Sequence, residues 1–161
     1  MKKILDIRFK GENLERRLSN LYSYRFEIDG LIMESFEGFI QSLRSSDERF
    51  KEQSYTLTGF VAWKKGQGVN WWDKQEVYWL GKTIDRNSDE YTELITKAYD
   101  CMFEQNEEFR NALRESLPYK ITHSVGKTNK TKTLLTNREF LGQLNRLREK
   151  LNERKYFNLF N

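Results

Sequence analysis

Glu37 and Gln41 stand four residues apart beside the apolar series Phe36, Phe39, Ile40 and Leu43. On an α-helix that spacing puts the carboxyl and the carboxamide one turn apart along the flank of the apolar stripe. A carboxyl so placed loses water, which favours its neutral form unless donors or cations reach it, and a group in that state can hold or exchange a proton. Gln41, one turn on, can orient a ligand. The same spacing also fits a solvated helix flank with an ordinary Glu and Gln, because a perturbed carboxyl is recognised by its context.

The elements that must position this pair are legible nearby. Tyr24 to Ile28, Asp29-Gly30 and Leu31 to Met33 read as two short strands around a tight turn, since Asp-Gly tolerates the positive φ angles such turns require. The period then changes from two to 3.6 at a helix starting near Ser35. Upstream, Lys3 to Phe9 alternates as an opening strand. Downstream, Ser45-Ser46-Asp47 makes a break and a helix cap before a helical region around Phe50 to Trp63, and Lys64 to Gly68 reads as a loop. Val69 to Trp79 fits neither period and is left as a strand or a short helix. Asn87 or Ser88 caps the clearest helix, whose stripe is Tyr91, Leu94, Ile95, Ala98, Tyr99, Met102 and Phe103. A shorter helix through Phe109 and Leu113 is closed by Pro118, Tyr119 to Ser124 is extended, and Thr136-x-x-Glu139 is a capping box opening the last helix. The tail Tyr156 to Phe160 is aromatic enough to dock. These readings add up to an α+β fold, mainly α-helical: a single compact domain over 1–161 with a short N-terminal β-hairpin or small sheet and about six helices.

Composition narrows the class. At 161 residues the chain fits one domain, and its eleven Phe, eight Tyr and four Trp supply large rings for a core although only 37% of residues are hydrophobic. No run of about 18 apolar residues exists to span a bilayer, and Met1-Lys2-Lys3-Ile4 is not followed by a signal-peptide apolar region, so the expected location is the cytoplasm. One cysteine, Cys101, and one histidine, His123, leave no soft-ligand set for zinc. Cys101 lies inside a helical pattern and reads as a buried structural thiol. Gly126-Lys127-Thr128 lacks P-loop spacing, and no Asp partner marks His123 as part of a triad. The net charge of +4 is unevenly spread: residues 117–161 hold ten Lys or Arg against three acids, whereas 84–117 hold four against nine. A basic C-terminal third attracts phosphates by steering, though where acids interleave, at Arg146 to Lys155, a solvated helix surface is the simpler reading.

Several short motifs resemble one family. Ser19-Asn20-Leu21-Tyr22, the Asp29-Gly30 turn and Ser35-x-Glu37-x-x-x-Gln41 resemble the N-terminal pattern of the NADAR superfamily, Ser-Asn-Phe-Tyr, Asp-Gly and Ser-x-Glu-His-x-x-Gln. Ala62-Trp63-Lys64-Lys65-Gly66 is similar to its Ala-Lys-x-x-Gly element, and Met102-Phe103-Glu104-Gln105-Asn106 with Phe109, Leu113 and Ser116 to its Lys-Phe-x-Gln-Asn helix pair. The similarity spans residues 17 to 151. Gly38 stands where the family carries His, and the C-terminal Trp-Gly and Gly-x-Asn elements are replaced by His123-Ser124-Val125-Gly126-Lys127 and the residues after it.

The resemblance implies an N-glycosidase that hydrolyses an N-glycosidic bond of a ribosyl or ADP-ribosyl nucleotide-type substrate, a ribosylaminopyrimidine phosphate or an ADP-ribosylated base. Such cleavage builds cationic character at C1′, which a nearby carboxylate stabilises, and no cofactor or metal is required. By the same resemblance Glu37 is the catalytic carboxylate. Asn20, Tyr22 and Gln41 fix ribose and base edges, Lys64 meets a phosphate and Trp79 stacks on a ring; His123 joins them as a candidate substrate-binding residue. The partners implied are a nucleotide-type small molecule or ADP-ribosylated nucleic acid, with no membrane, and small members of the superfamily also occur in phages. The alternative is a catalytically impaired module of the same fold that binds ADP-ribose, a nucleotide or a protein partner. A third reading is nucleic-acid binding through the basic C-terminal third with tryptophans stacking on bases.

Overall fold

In the computed structural model, which describes residues 1–161, packing separates the chain into two units, Asn20–Gln105 and Met1–Ser19 with Asn106–Asn161. The elements follow the order β1 (Ile4–Asp6), α1 (Asn13–Arg17), β2 (Phe26–Ile28), β3 (Leu31–Met33), α2 (Phe36–Ser42), α3 (Glu48–Tyr55), α4 (Gly59–Lys65), β4 (Glu76–Trp79), β5 (Lys82–Asp85), α5 (Asp89–Gln105), α6 (Glu107–Glu115), β6 (Lys120–Thr122) and α7 (Asn137–Phe160). The fold is α+β, with seven helices and three two-stranded sheets. No helix is long and apolar enough to cross a membrane.

The unit 20–105 is built on the expected hairpin. Asp29 and Gly30 take φ of 51° and 80°, so β2 and β3 pair antiparallel with Ile28 opposite Leu31 and Phe26 opposite Met33. Lys97 Nζ and Trp79 Nε1 both donate to the Asp29 carboxylate, Trp79 at 2.9 Å, and hold it below the usual carboxylate range. Helix α5 packs its stripe of seven buried apolar side chains on β2, as the 3.6 periodicity predicts. Between them lies an aromatic cluster: Phe36 stacks on Tyr99 at 3.9 Å, and Phe39 meets Phe36 and Trp79 edge-on at 5.5 and 5.3 Å. Each fully buried ring of this size contributes on the order of 2 kcal/mol, which fixes the position of α2. The second hairpin, β4–β5, resolves the ambiguous stretch after Val69. Its turn residues Leu80 and Gly81 take φ of 50° and 73°. Helix α4 runs through Lys64 and Lys65, so the expected loop begins only at Gly66.

In the other unit, β1 and β6 pair in parallel with Leu5 opposite Ile121, the opening strand and the extended segment read from sequence. Thr136 and Glu139 form the expected capping box of α7, whose buried side chains include Phe140, Leu144, Leu147 and Leu151. Arg148, nearly buried on the same helix, donates through Nη2 to the carbonyls of Ser116, Leu117 and Tyr119 at 2.8, 3.2 and 2.7 Å and so pins the turn after α6. The expectation that the aromatic tail docks is corrected. Tyr156, Phe157, Leu159 and Phe160 sit on the last turns of α7 and remain largely exposed. They do not continue the Leu144–Leu147–Leu151 stripe in register, so the buried face of α7 ends at Leu151.

Candidate functional site

The site is built on α2. Ser35 caps the helix: its Oγ accepts the Gly38 N–H at 3.0 Å and donates to the Leu57 carbonyl at 2.8 Å. All seven residues of α2 are buried, so Glu37 and Gln41 are not on a solvated flank. Glu37 is 8% exposed and Gln41 2%. Gln41 Nε2 donates to Glu37 Oε1 at 2.7 Å. Burial pushes the Glu37 carboxyl above the ordinary carboxylate range, while the Gln41 hydrogen bond and the Arg44 charge pull only partly the other way. The Glu37 backbone N–H donates to the Asn20 carbonyl at 3.0 Å, and Tyr99 Oη donates to Asn20 Oδ1 at 2.8 Å. The loop carrying Asn20 is therefore tied to the first turn of α2 at its backbone and to α5 at its side chain.

Four residues to which sequence reasoning gave no role complete the surroundings. Arg44 follows Gln41 by three and Glu37 by seven, a helical i, i+4, i+7 series that extends the same stripe. Its Nη1 donates to the Gly66 carbonyl at 3.0 Å, while its Nε is buried without a protein partner. Gly66 lies against both side chains: a Cβ there would overlap Gln41 Oε1 and come 2.9 Å from Arg44 Cδ. Gly66 entered only as a motif position, and nothing local in the sequence points to its contact with Gln41. Lys51 on α3 is 3% exposed and donates from Nζ to the Ser42 carbonyl at 2.9 Å and to the Tyr78 carbonyl, joining the end of α2 to β4. Burial lowers its pKa to about 8. Arg86, completely buried, places its guanidinium 4.7 Å from the Tyr91 ring centre.

The remaining candidates separate. Tyr22 is half-buried with its ring 4.9 Å from that of Tyr24. Lys64 is exposed on α4. Trp79 is only 5% exposed, with its ring edge-on to Phe39 and Tyr55 and its Nε1 on Asp29, so it presents no free face for stacking and serves the core instead. His123 belongs to the unit formed by 1–19 and 106–161, where Nδ1 is 2.6 Å from the Ile7 carbonyl and the ring meets Phe140 edge-on. Asn20, Glu37 and Gln41 are thus brought together, with Arg44 and Gly66 added to them. Gly38 has a packing reason: a Cβ there would stand 2.5 Å from the Ser54 carbonyl oxygen and 2.9 Å from that of Leu57, so α3 and the residues after it close off the place of a larger side chain. No group of three or more His, Cys, Asp or Glu side chains is placed to hold a metal.

The small α+β fold that positions Glu37 and Gln41 is shared with a solved structure. That structure is the NMR structure of the E. coli protein YbiA, to which this chain is similar with a TM-score of 0.63 and 20% identity, over 96% of this chain and 88% of that one. The sequence defines the relationship more narrowly, and the chain belongs to the bacteriophage protein GP30.3 family, whose model matches residues 13–149. It is 33% identical over 136 residues to an uncharacterized 17.1 kDa protein from the Gp30–rIII intergenic region of Enterobacteria phage T4, covering 83% of this chain and 90% of that protein.

Proposed function

We propose that this protein hydrolyses an N-glycosidic bond of a ribosyl or ADP-ribosyl nucleotide-type substrate, with Glu37 as the catalytic group. The observation that carries the reading is the sheltered Glu37 carboxyl: buried, held at one oxygen by Gln41 and lifted above the ordinary carboxylate range. Breaking the bond at C1′ needs a group that can stabilise the developing charge and pass a proton, and a desolvated carboxyl does both. Two further points support it. The YbiA-like fold and the order of the Asn20–Tyr22, Asp29-Gly30 and Glu37–Gln41 motifs agree with the NADAR pattern. The carboxyl is also preorganised, since Asn20 and Ser35 fix the first turn of α2. In this reading Gln41 holds the Glu37 carboxyl in place, Asn20 and Tyr22 contact ribose and base edges, and exposed Lys64 meets a phosphate. Trp79 and His123 are left out of it.

The test is direct. Purified protein is mixed with ADP-ribosylated nucleic acid and, separately, with a ribosylaminopyrimidine phosphate, and the released base is followed by chromatography. Release by the wild type and a loss of at least a hundredfold in Glu37→Gln are expected; undiminished turnover in the variant would remove Glu37 from its role. Gly38 in place of the family His favours a second reading, a binding module of the same fold. That reading predicts saturable binding of ADP-ribose with no product formed.

A further inference from the structure

The carboxamide of Gln41 is wedged between two different neighbours, and they decide which of its ends is the nitrogen. One terminal atom lies 2.7 Å from Glu37 Oε1, and the other lies against the Cα of Gly66. A carbonyl oxygen is at ease beside a Cα–H, whereas an NH2 group there would aim its hydrogens at carbon with no acceptor. The nitrogen therefore faces Glu37 and the oxygen faces Gly66, whose carbonyl is in turn held by Arg44 Nη1 at 3.0 Å. With Oε1 already accepting the Gln41 hydrogen bond, a proton on this carboxyl sits on Oε2.

The charged groups around α2 do not convert this carboxyl into an ion pair. Lys51 on α3 is spent on the Ser42 and Tyr78 carbonyls, and Lys65 on α4 is turned to Gln53. On the α5 side Tyr99 is bonded to Asn20 and Tyr91 lies under Arg86. Strand β3 brings no charge. Arg44 alone acts on the carboxyl, from a distance and with its hydrogen bond directed elsewhere.

We propose that Glu37 is the proton donor of this site, acting through Oε2, and that the site takes N-ribosides whose departing nitrogen must gain a proton, not pyridinium-type N-ribosides, whose nitrogen leaves already neutral. This rests on the N-glycosidase reading and specifies its chemistry. As the C1′–N bond breaks, its electron pair goes to nitrogen, which takes the proton from Oε2. Water then forms the new C1′–O bond and returns a proton to the Glu37 carboxylate, so riboside and water become free base and ribose with the carboxyl restored.

The experiment has two arms on the full-length chain. In the first, the side-chain carboxyl of Glu37, assigned with Glu37→Gln, is titrated by carbon-13 NMR in wild type and in Gln41→Met. The expected wild-type midpoint lies above the ordinary range, and Gln41→Met moves it further up, because the amide N–H stabilises the anion. An ordinary midpoint near about 4.3, or a downward move in Gln41→Met, overturns the assignment. In the second arm, release from a ribosylaminopyrimidine phosphate and release of nicotinamide from NAD are compared across pH. The first is expected to fall about tenfold per pH unit above the Glu37 midpoint and to exceed the second at least tenfold. Equal rates, with NAD cleavage lost in Glu37→Gln, overturn the substrate class. No release from either compound together with a raised midpoint overturns the N-glycosidase reading, and the donor role and substrate class with it, while the raised carboxyl stands; release lost in Glu37→Gln with an ordinary midpoint overturns the donor role alone.

Discussion

Glu37 draws its character from burial more than from any neighbour, and this has a consequence in the absence of substrate. A carboxyl whose folded pKa is raised binds its proton more tightly in the native state than in the unfolded chain. Its stabilising contribution is complete below the unfolded value of about 4.3 and is lost as pH rises through the folded value. Glu37→Gln keeps the shape and removes the titration. The denaturation midpoint of the variant relative to wild type should therefore improve between pH 4 and pH 8; curves that stay parallel across that range would mean the carboxyl is solvated. Gly38 is the complementary case, where the absence of a side chain matters. Gly38→Ala forces a methyl to 2.5 Å from the Ser54 oxygen and 2.9 Å from the Leu57 oxygen, so a loss of about 1–3 kcal/mol is expected in urea unfolding, and Gly38→His loses more. A histidine at this position, as in the pattern that the sequence resembles, thus damages the helix that carries Glu37 instead of improving the site.

Helix α2 has seven residues, too few to persist alone, so its position depends on what holds its ends. Ser35 secures the first turn and Lys51 secures the last through the Ser42 carbonyl. Lys51→Met leaves the Ser42 and Tyr78 carbonyls without this donor, at a cost of about 1–3 kcal/mol. It also changes the pH response. With a folded pKa of about 8, below the ordinary value of about 10.4, Lys51 binds fewer protons folded than unfolded. Wild-type stability should therefore gain from this group as pH rises from about 8 toward 10, and Lys51→Met should lack that gain; Tyr55, whose raised pKa acts the other way, enters only above that window. Guanidinium titrations at pH 7.5 and 9.5 compare the two. The ends of α2 also mark how far local sequence reaches. The Asp29-Gly30 turn and the caps at Ser35, Asp47 and Thr136 were legible because each is a contact within four residues. The β4–β5 hairpin was not, because Leu80 takes a left-handed conformation that its residue type does not advertise. Arg44 was within reach of the i+7 rule, whereas Gly66 against Gln41 joins residues 25 apart through a space that only the folded chain defines.

At the scale of the whole molecule, charge divides along the same line as packing. Residues 20–105, which carry Glu37, hold 10 Lys or Arg against 15 acids, a net −5, while 1–19 with 106–161 hold 18 against 9, a net +9. The excess positive charge belongs to the second of these units. Lys127, Lys130 and Lys132 concentrate it on an exposed loop before α7, where none of the three side chains has a role in packing. A polyanion is expected to be drawn to that unit by steering, with an affinity that falls as salt rises. Reversing all three lysines to Glu should reduce the slope of log affinity against log salt for a single-stranded oligonucleotide by about 2, with the unfolding midpoint unchanged because the loop contributes nothing to the core. Glu37→Gln should leave the slope as it was. An affinity indifferent to salt would mean that the positive excess does not steer a ligand at all, and a slope altered by Glu37→Gln but not by the triple reversal would place the polyanion on the acidic unit, against its own field.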